Sequence, residues 1–205
     1  MLATLRAMTA TRHSPKGAAK REEILETALE IVARLGYNGA TIRNLADAVG
    51  LSKTGLLHHF GTKEELFVEI LRRRDAEDLV AFEAALAQGH SIVEAFAGVL
   101  TRNANVPGLV QLYSRLAMEA SDPNHAAHDY FVDRYREVRR EIEGQVRAAV
   151  AEGRMTDSVA PEQLALIFVA LSDGLQMQWM FDSGVEMGTQ IEELFRALSL
   201  DALPE

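Results

Sequence analysis

Apolar residues along this chain recur at intervals of three and four, and strand signals are nearly absent. Ile24, Ala28, Ile31 and Leu35 follow a 4, 3, 4 spacing that places them on one face of a helix predicted over residues 18–35. Gly36 and Gly39 break it. Ile42, Leu45, Ala46 and Val49 mark a short helix over 42–49 with Thr41 at its N-cap position. Gly50 follows as a residue able to take positive φ just past the helix end. Ser52 caps a second short helix over 53–60, which turns Leu56 and Phe60 inward. Thr62-Lys63-Glu64-Glu65 is a capping box opening a long helix over 63–88. Further helices are predicted over 91–102, 108–120, 126–152, 161–181 and 189–200. The breaks fall at Pro107, Ser121-Asp122-Pro123, Gly153 and Ser183-Gly184. The fold class read from this pattern is all-α.

Two short helices joined by a tight glycine turn are the geometry that lays the second helix in a DNA major groove. Such pairs also occur in helical proteins that never touch DNA, so charge sharpens the choice. The 205-residue chain is acidic, with a formal net charge of −9. No acidic residue precedes Glu22, while Arg6, Arg12, Lys16, Lys20 and Arg21 give the first 21 positions a charge of +5. Residues 1–62 carry +3 and the remainder −12. Polyphosphate repels an acidic protein, so a positive segment coinciding with the helix-turn-helix is what phosphate contact requires. Residues 1–17 read as a flexible basic arm.

Several stretches fall in one register: Gly36-Tyr37, Ala40-Thr41-Ile42-Arg43-Asn44-Leu45-Ala46, Gly50-Leu51-Ser52-Lys53 and His58-His59-Phe60-Gly61-Thr62-Lys63-Glu64-Glu65-Leu66. Over about residues 20–70 this order resembles the TetR family of transcriptional regulators. The chain departs from the family pattern at Thr54-Gly55, where Gly-Thr is common, and at Leu57, where tyrosine is usual. The DNA-binding set expected from spacing and resemblance is Thr41, Arg43, Ser52, Lys53, Thr54, Gly55, Leu57, His58, His59, Thr62 and Lys63. Arg43 is placed to reach a base edge or phosphate. Thr41 and Thr62 sit at helix N-termini whose N–H groups can hold a phosphate. Lys63 binds the DNA backbone by resemblance. One of the two histidines has an alternative place beside Phe60, and neighbouring helical positions diverge by about 100°, so the pair does not form a metal site.

The resemblance implies a DNA-binding domain over residues 18–64 and a helical effector-binding and dimerisation domain over 65–205. It implies that the last two long helices pair with their copies in a homodimer. The apolar stripes Leu164, Phe168, Leu171, Leu175 and Ile191, Leu194, Phe195, Leu198 are the expected interface; the alternative is that they close the core of one protomer. The expected effector pocket draws on Phe96, Tyr113, Met118, Phe131, Tyr135, Gln176, Met177 and Met180, since effector cavities are mostly apolar with a few polar groups. Asp122, His125, His128 and Asp129 have donor-like spacing but read as a turn and helix start, with Asp129 favoured there by the helix dipole.

Composition agrees with a globular protein, at 48% hydrophobic and 25% charged residues. The absence of cysteine removes disulfide and thiolate chemistry and fits a reducing cytoplasm. No signal peptide or membrane span is evident, and a cytoplasmic location is expected. No Glu-x-x-His pair, Gly-x-Ser-x-Gly motif or glycine-rich phosphate loop occurs, so neither an enzyme nor a cofactor is expected. The expected function is a DNA-binding repressor, released from a palindromic operator by an unidentified small-molecule effector. The rival is a helical ligand- or protein-binding dimer without sequence-specific DNA binding.

Overall fold

A computed structural model describes residues 15–198. Among them run nine helices: α1 (Pro15–Gly39), α2 (Ile42–Ala48), α3 (Lys53–Phe60), α4 (Lys63–Ala87), α5 (Ile92–Ala104), α6 (Pro107–Glu119), α7 (His128–Ala151), α8 (Pro161–Trp179) and α9 (Met187–Leu198). No strand occurs among the described residues. Arg6 and Arg12 of the expected arm lie outside them, while Lys16 falls in the first turn of α1. Gly36, at φ 65° and ψ −175°, interrupts α1 where the helix was expected to stop, and one further turn carries the chain to Gly39.

Three of the glycine closures follow one pattern. Past α2, Leu51 N–H donates to Ala46 C=O at 2.9 Å and Gly50 N–H to Asp47 C=O at 3.3 Å, with Gly50 at φ 66°. These are the two bonds of a Schellman motif, which satisfy carbonyls left over at a helix end. The same pair of bonds closes α4 at Gly89 and α7 at Gly153.

Two apolar clusters hold the helices. The first joins Ile24, Ile31, Leu45, Leu56 and Phe60 to Leu66, Phe67 and Ile70 of α4, then to Leu112 and Leu116 of α6 and Phe131 of α7. It is continuous across the boundary expected after residue 64, because α1–α3 cover too little apolar surface to close a core alone. At the α1–α6 crossing, a Cβ on Gly108 would run into the carbonyls of Val32 and Ala33. Only glycine permits that approach.

The second cluster lies among α5, α7, α8 and α9. Phe96 stacks edge-on against Phe168 at 4.5 Å, and Phe168 against Phe195 at 5.2 Å. The expected dimer stripe is therefore corrected. Leu164, Phe168, Leu175, Ile191 and Phe195 are buried inside the protomer, and Leu171 and Leu198 pack on the same cluster. Leu194 alone of the eight is exposed. The outward face of α8 instead carries Leu166 and Ile167, 52% and 48% exposed, with Phe181 beyond its end at 87%. On α8 the 3.6-residue stripe faces the protomer's own core, and Leu166 and Ile167 beside it are the apolar positions left outside.

Candidate nucleic-acid interface and the cavity behind it

Each short helix, and the long α4 after them, begins on a hydroxyl cap. Thr41 Oγ1 accepts from Asn44 N at 3.1 Å, Ser52 Oγ from Gly55 N at 3.0 Å, and Thr62 Oγ1 from Glu65 N at 3.0 Å. Glu65 returns the bond to Thr62 N at 2.8 Å and completes the capping box. The Asn44 amide donates to Gly39 C=O at 2.8 Å and fixes the entry to α2. With Leu56 and Phe60 buried, α3 turns Lys53, Thr54 and His58 to the surface and leaves Leu57 half-buried beside them. Positions 53, 54, 57 and 58 share one helical face. Thr41, Arg43 and Ser52 are also exposed. Gly55 lies at the cap, where a Cβ would stand 3.3 Å from Ser52 Oγ.

His59 does not share the face of His58. It is half-buried with its ring 6.5 Å from Phe60, the alternative place open to one of the two histidines. Lys63 is half-buried as well, its ammonium 5.0 Å from the Tyr37 ring and 4.9 Å from Phe67. That packing fixes its stem at the junction of α1 and α4.

Sequence reasoning counted Lys20 and Arg21 only in the positive charge of the first 21 positions. Lys20 Nζ donates to Glu23 at 2.7 Å and to Val49 C=O at 3.3 Å, so it braces the end of α2. Arg21 donates to His59 C=O at 3.1 Å, pairs with Glu69 at 2.8 Å and lies 4.3 Å over the Phe60 ring. It clamps the C-terminal end of α3 between α1 and α4. The apolar stripe of α1 left these cations beside it as the hint.

Behind this unit, α4 continues for 25 residues, and its later turns carry Arg74, Asp75, Asp78, Leu79 and Phe82 into the wall of a cavity of about 280 Å³. Phe96 and Gln176 of the expected pocket line it. The other six do not. Tyr113 and Phe131 are buried in the first cluster, and Tyr135 packs on both clusters. Met118 is 66% exposed on α6. Met177 is one position, and so about 100°, around α8 from Gln176, and Met180 is the C-cap of that helix. Methionine and aromatic content could not separate wall from core. A better signal was Arg74, an arginine set in the apolar stripe Phe67, Ile70, Leu71.

Below the cavity the tyrosines form a polar network. Tyr130 donates to Asp75 at 2.7 Å, and Arg134 Nε reaches both Asp75 oxygens at 3.2 and 3.1 Å. Arg134 Nη1 donates to Tyr113 Oη at 3.1 Å; Tyr113 and Tyr135 donate to Asp173 at 3.0 and 2.8 Å. Burial pushes the Tyr113, Tyr130 and Tyr135 hydroxyls above the usual tyrosine range, and the neighbouring carboxylates add to the rise. Burial opposes the Arg134 charge, but Asp75, Tyr113 and Tyr130 around it together more than offset that.

Residues 122–127 form a turn, and α7 begins at His128. Asp122 accepts from Asn124 N at 2.9 Å, which holds its carboxyl below the usual range. His125 Nδ1 accepts from Ala127 N at 3.1 Å, and His128 meets Ala120 C=O at 2.8 Å. No described helix is long and apolar enough to cross a membrane.

Comparison with known proteins bears on this geometry. Residues 24–70 match the family described as bacterial regulatory proteins, tetR family. Over 185 residues the chain is 30% identical to the HTH-type transcriptional repressor AcnR of Corynebacterium diphtheriae, covering 88% of each protein. The fold is similar to a TetR-family transcriptional regulator from Agrobacterium tumefaciens, with a TM-score of 0.72 and 17% identity over 89% of this chain and 99% of that one. It is also similar to a putative transcriptional regulator from Saccharomonospora viridis crystallised with choline, with a TM-score of 0.68 and 23% identity over 89% and 98%. The family match covers the capped helix-turn-helix and the start of α4, and the AcnR similarity extends through the helices behind it; the chain belongs to the TetR family and is a DNA-binding transcriptional regulator, not an enzyme.

Proposed function

We propose that this regulator is a repressor that binds a palindromic operator as a homodimer and leaves it when a small molecule enters the cavity under α4. The observation that carries this reading is the continuity of α4. Its first turn is capped against the helix-turn-helix, and turns four to six form a cavity wall, without a break between. A ligand that repacks Leu79 or Phe82 moves a rigid rod whose other end seats Phe67 against Tyr37.

In this reading residues 18–64 read DNA, with Lys53, Thr54, Leu57 and His58 of α3 in the groove and Arg43 reaching from α2. Thr41, Ser52, Gly55, Thr62 and Lys63 meet phosphates around them. Residues 65–205 bind the effector and form the dimer. The dimer uses the outward face of α8, with Leu166 and Ile167, together with Leu194 of α9. Two recognition helices about 34 Å apart then read the two half-sites. Effector binding must discriminate between two spacings of these helices, and coupling of about 1–3 kcal/mol, or about 5- to 150-fold in operator affinity, is the usual range.

Selection of bound duplexes from a random DNA library tests the reading, with the Lys53→Ala, His58→Ala double variant as control. An enriched inverted repeat that the control fails to select supports it. A folded dimer that enriches no sequence refutes operator recognition and favours a role in ligand or protein binding.

A further inference from the structure

Arg74 stands on the buried stripe of α4 and is only 4% exposed. Its Nε lies 3.4 Å from an Asp78 oxygen, yet neither Nε nor Nη1 has a hydrogen-bond partner among the described residues. Asp78 is already engaged by Arg102 at 2.6 Å and by the Asn103 amide at 3.4 Å. One carboxylate therefore faces two guanidiniums, and the group keeps a net positive charge. On α8, Gln176 is 5% exposed and its Oε1 is likewise without a partner among the described residues. Both side chains line the same cavity. Buried donors and acceptors are almost always paired, and an unpaired guanidinium N–H is costly enough to need an explanation.

We propose that the effector is an apolar-bodied organic carboxylate. Its carboxylate binds Arg74, and a hydroxyl or N–H near that end donates to Gln176 Oε1. This inference rests on the reading of the cavity as the effector site. Four of the five acids in the wall already have partners, and the fifth, Glu137, shares the wall with Arg140, so they do not ask for a cation in its place. Asp75 is held by Arg134 and Tyr130, Asp173 by Tyr113 and Tyr135, and Glu141 accepts from Gln145 at 3.1 Å. Most of the remaining wall is apolar, including Leu79, Phe82, Val99 and Val138. A volume of about 280 Å³ is the liquid share of roughly nine waters at about 30 Å³ each, which suits a molecule of about ten non-hydrogen atoms.

The experiment is calorimetric titration of the full chain with probes matched in shape and varied in charge. Octanoate, octan-1-ol and octylammonium form one set; 4-phenylbutyrate, 4-phenylbutan-1-ol and 4-phenylbutylammonium form another. Each carboxylate is expected to bind roughly tenfold tighter than its alcohol, as suits a charge-assisted bond, and the ammonium weakest. Arg74→Gln should abolish the preference while keeping alcohol binding. Should that variant not fold, the wild-type ranking decides by itself. A further gain for 3-hydroxyoctanoate over octanoate, lost in Gln176→Leu, is expected for the second contact. Equal affinity of acid and alcohol, or tighter ammonium binding, overturns the carboxylate. If such binding is lost in the cavity-filling Val99→Phe, the cavity still stands as a ligand site. No binding by any probe overturns both readings.

Discussion

The Tyr37 hydroxyl donates a 2.5 Å hydrogen bond to Glu119 Oε2, tying the turn after the α1 break to the last residue of α6. The same ring packs on Phe67 of α4 at 5.4 Å, so three helices meet on one tyrosine at the junction between the helix-turn-helix and the cavity half. Tyr37→Phe keeps the packing and removes the bond. Chemical denaturation should show a loss of about 0.5–1.5 kcal/mol, with an unchanged denaturant slope.

Gly50 and Gly108 are glycines for different reasons. At Gly50 the backbone is at φ 66° and a Cβ would meet nothing within 4 Å, so Gly50→Ala carries only the backbone penalty, about 1–2 kcal/mol. At Gly108 the added methyl strikes backbone carbonyls of α1, which cannot swing aside as a side chain would. Thermal unfolding should show Gly108→Ala as the more damaging of the two. Equal shifts would mean that the α1–α6 crossing relaxes freely.

Phosphate and base contacts separate by their salt dependence. Lys63→Ala should weaken binding to all duplexes and reduce the slope of log K against log salt by about 0.9. Arg43→Ala should relax preference at one operator position, at a cost of about 1–3 kcal/mol for the favoured base. Fluorescence anisotropy across a salt series, with single-position operator variants, measures both.

The outward α8 face carries the dimer in our reading. The pair Leu166→Glu, Ile167→Glu alters side chains that already face solvent, so the protomer should fold with unchanged helicity. Sedimentation should then give a monomeric mass, and operator affinity should fall because one recognition helix reads too little sequence. A dimer that survives both charges would move the interface elsewhere.

Alkaline pH should destabilise the protein through Tyr113, Tyr130 and Tyr135. Their folded-state pKa values lie above the unfolded value of about 10. Above pH 10 the unfolded chain releases tyrosine protons while the folded chain retains them. Stability from these groups is therefore fully present below pH 10 and falls as pH rises beyond it. Denaturation midpoints from pH 8 to 11 should show the decline, and Tyr135→Phe should make it shallower.

The sequence by itself determined the helices, their caps and their closures, because these depend on neighbours three and four positions away. Ser52 was legible as a cap and Gly50 as a closure from a few residues, and the structure has each bond where the pattern put it. The family was legible for the same reason, since its shared register lies in those local signals. Tertiary structure decided which apolar stripe faces which neighbour. Periodicity gives the angle between stripes on a helix but not the helix's rotation against its partners, so Leu164 and Phe168 read equally well as interface or core until α5, α7 and α9 were in place. It also decided that His59 packs beside Phe60, that Arg21 clamps α3, and that Arg74 is buried beside a cavity. Each of those depends on residues brought together from distant parts of the chain; the apolar stripe around Arg74 hinted at its burial but not at the cavity beside it.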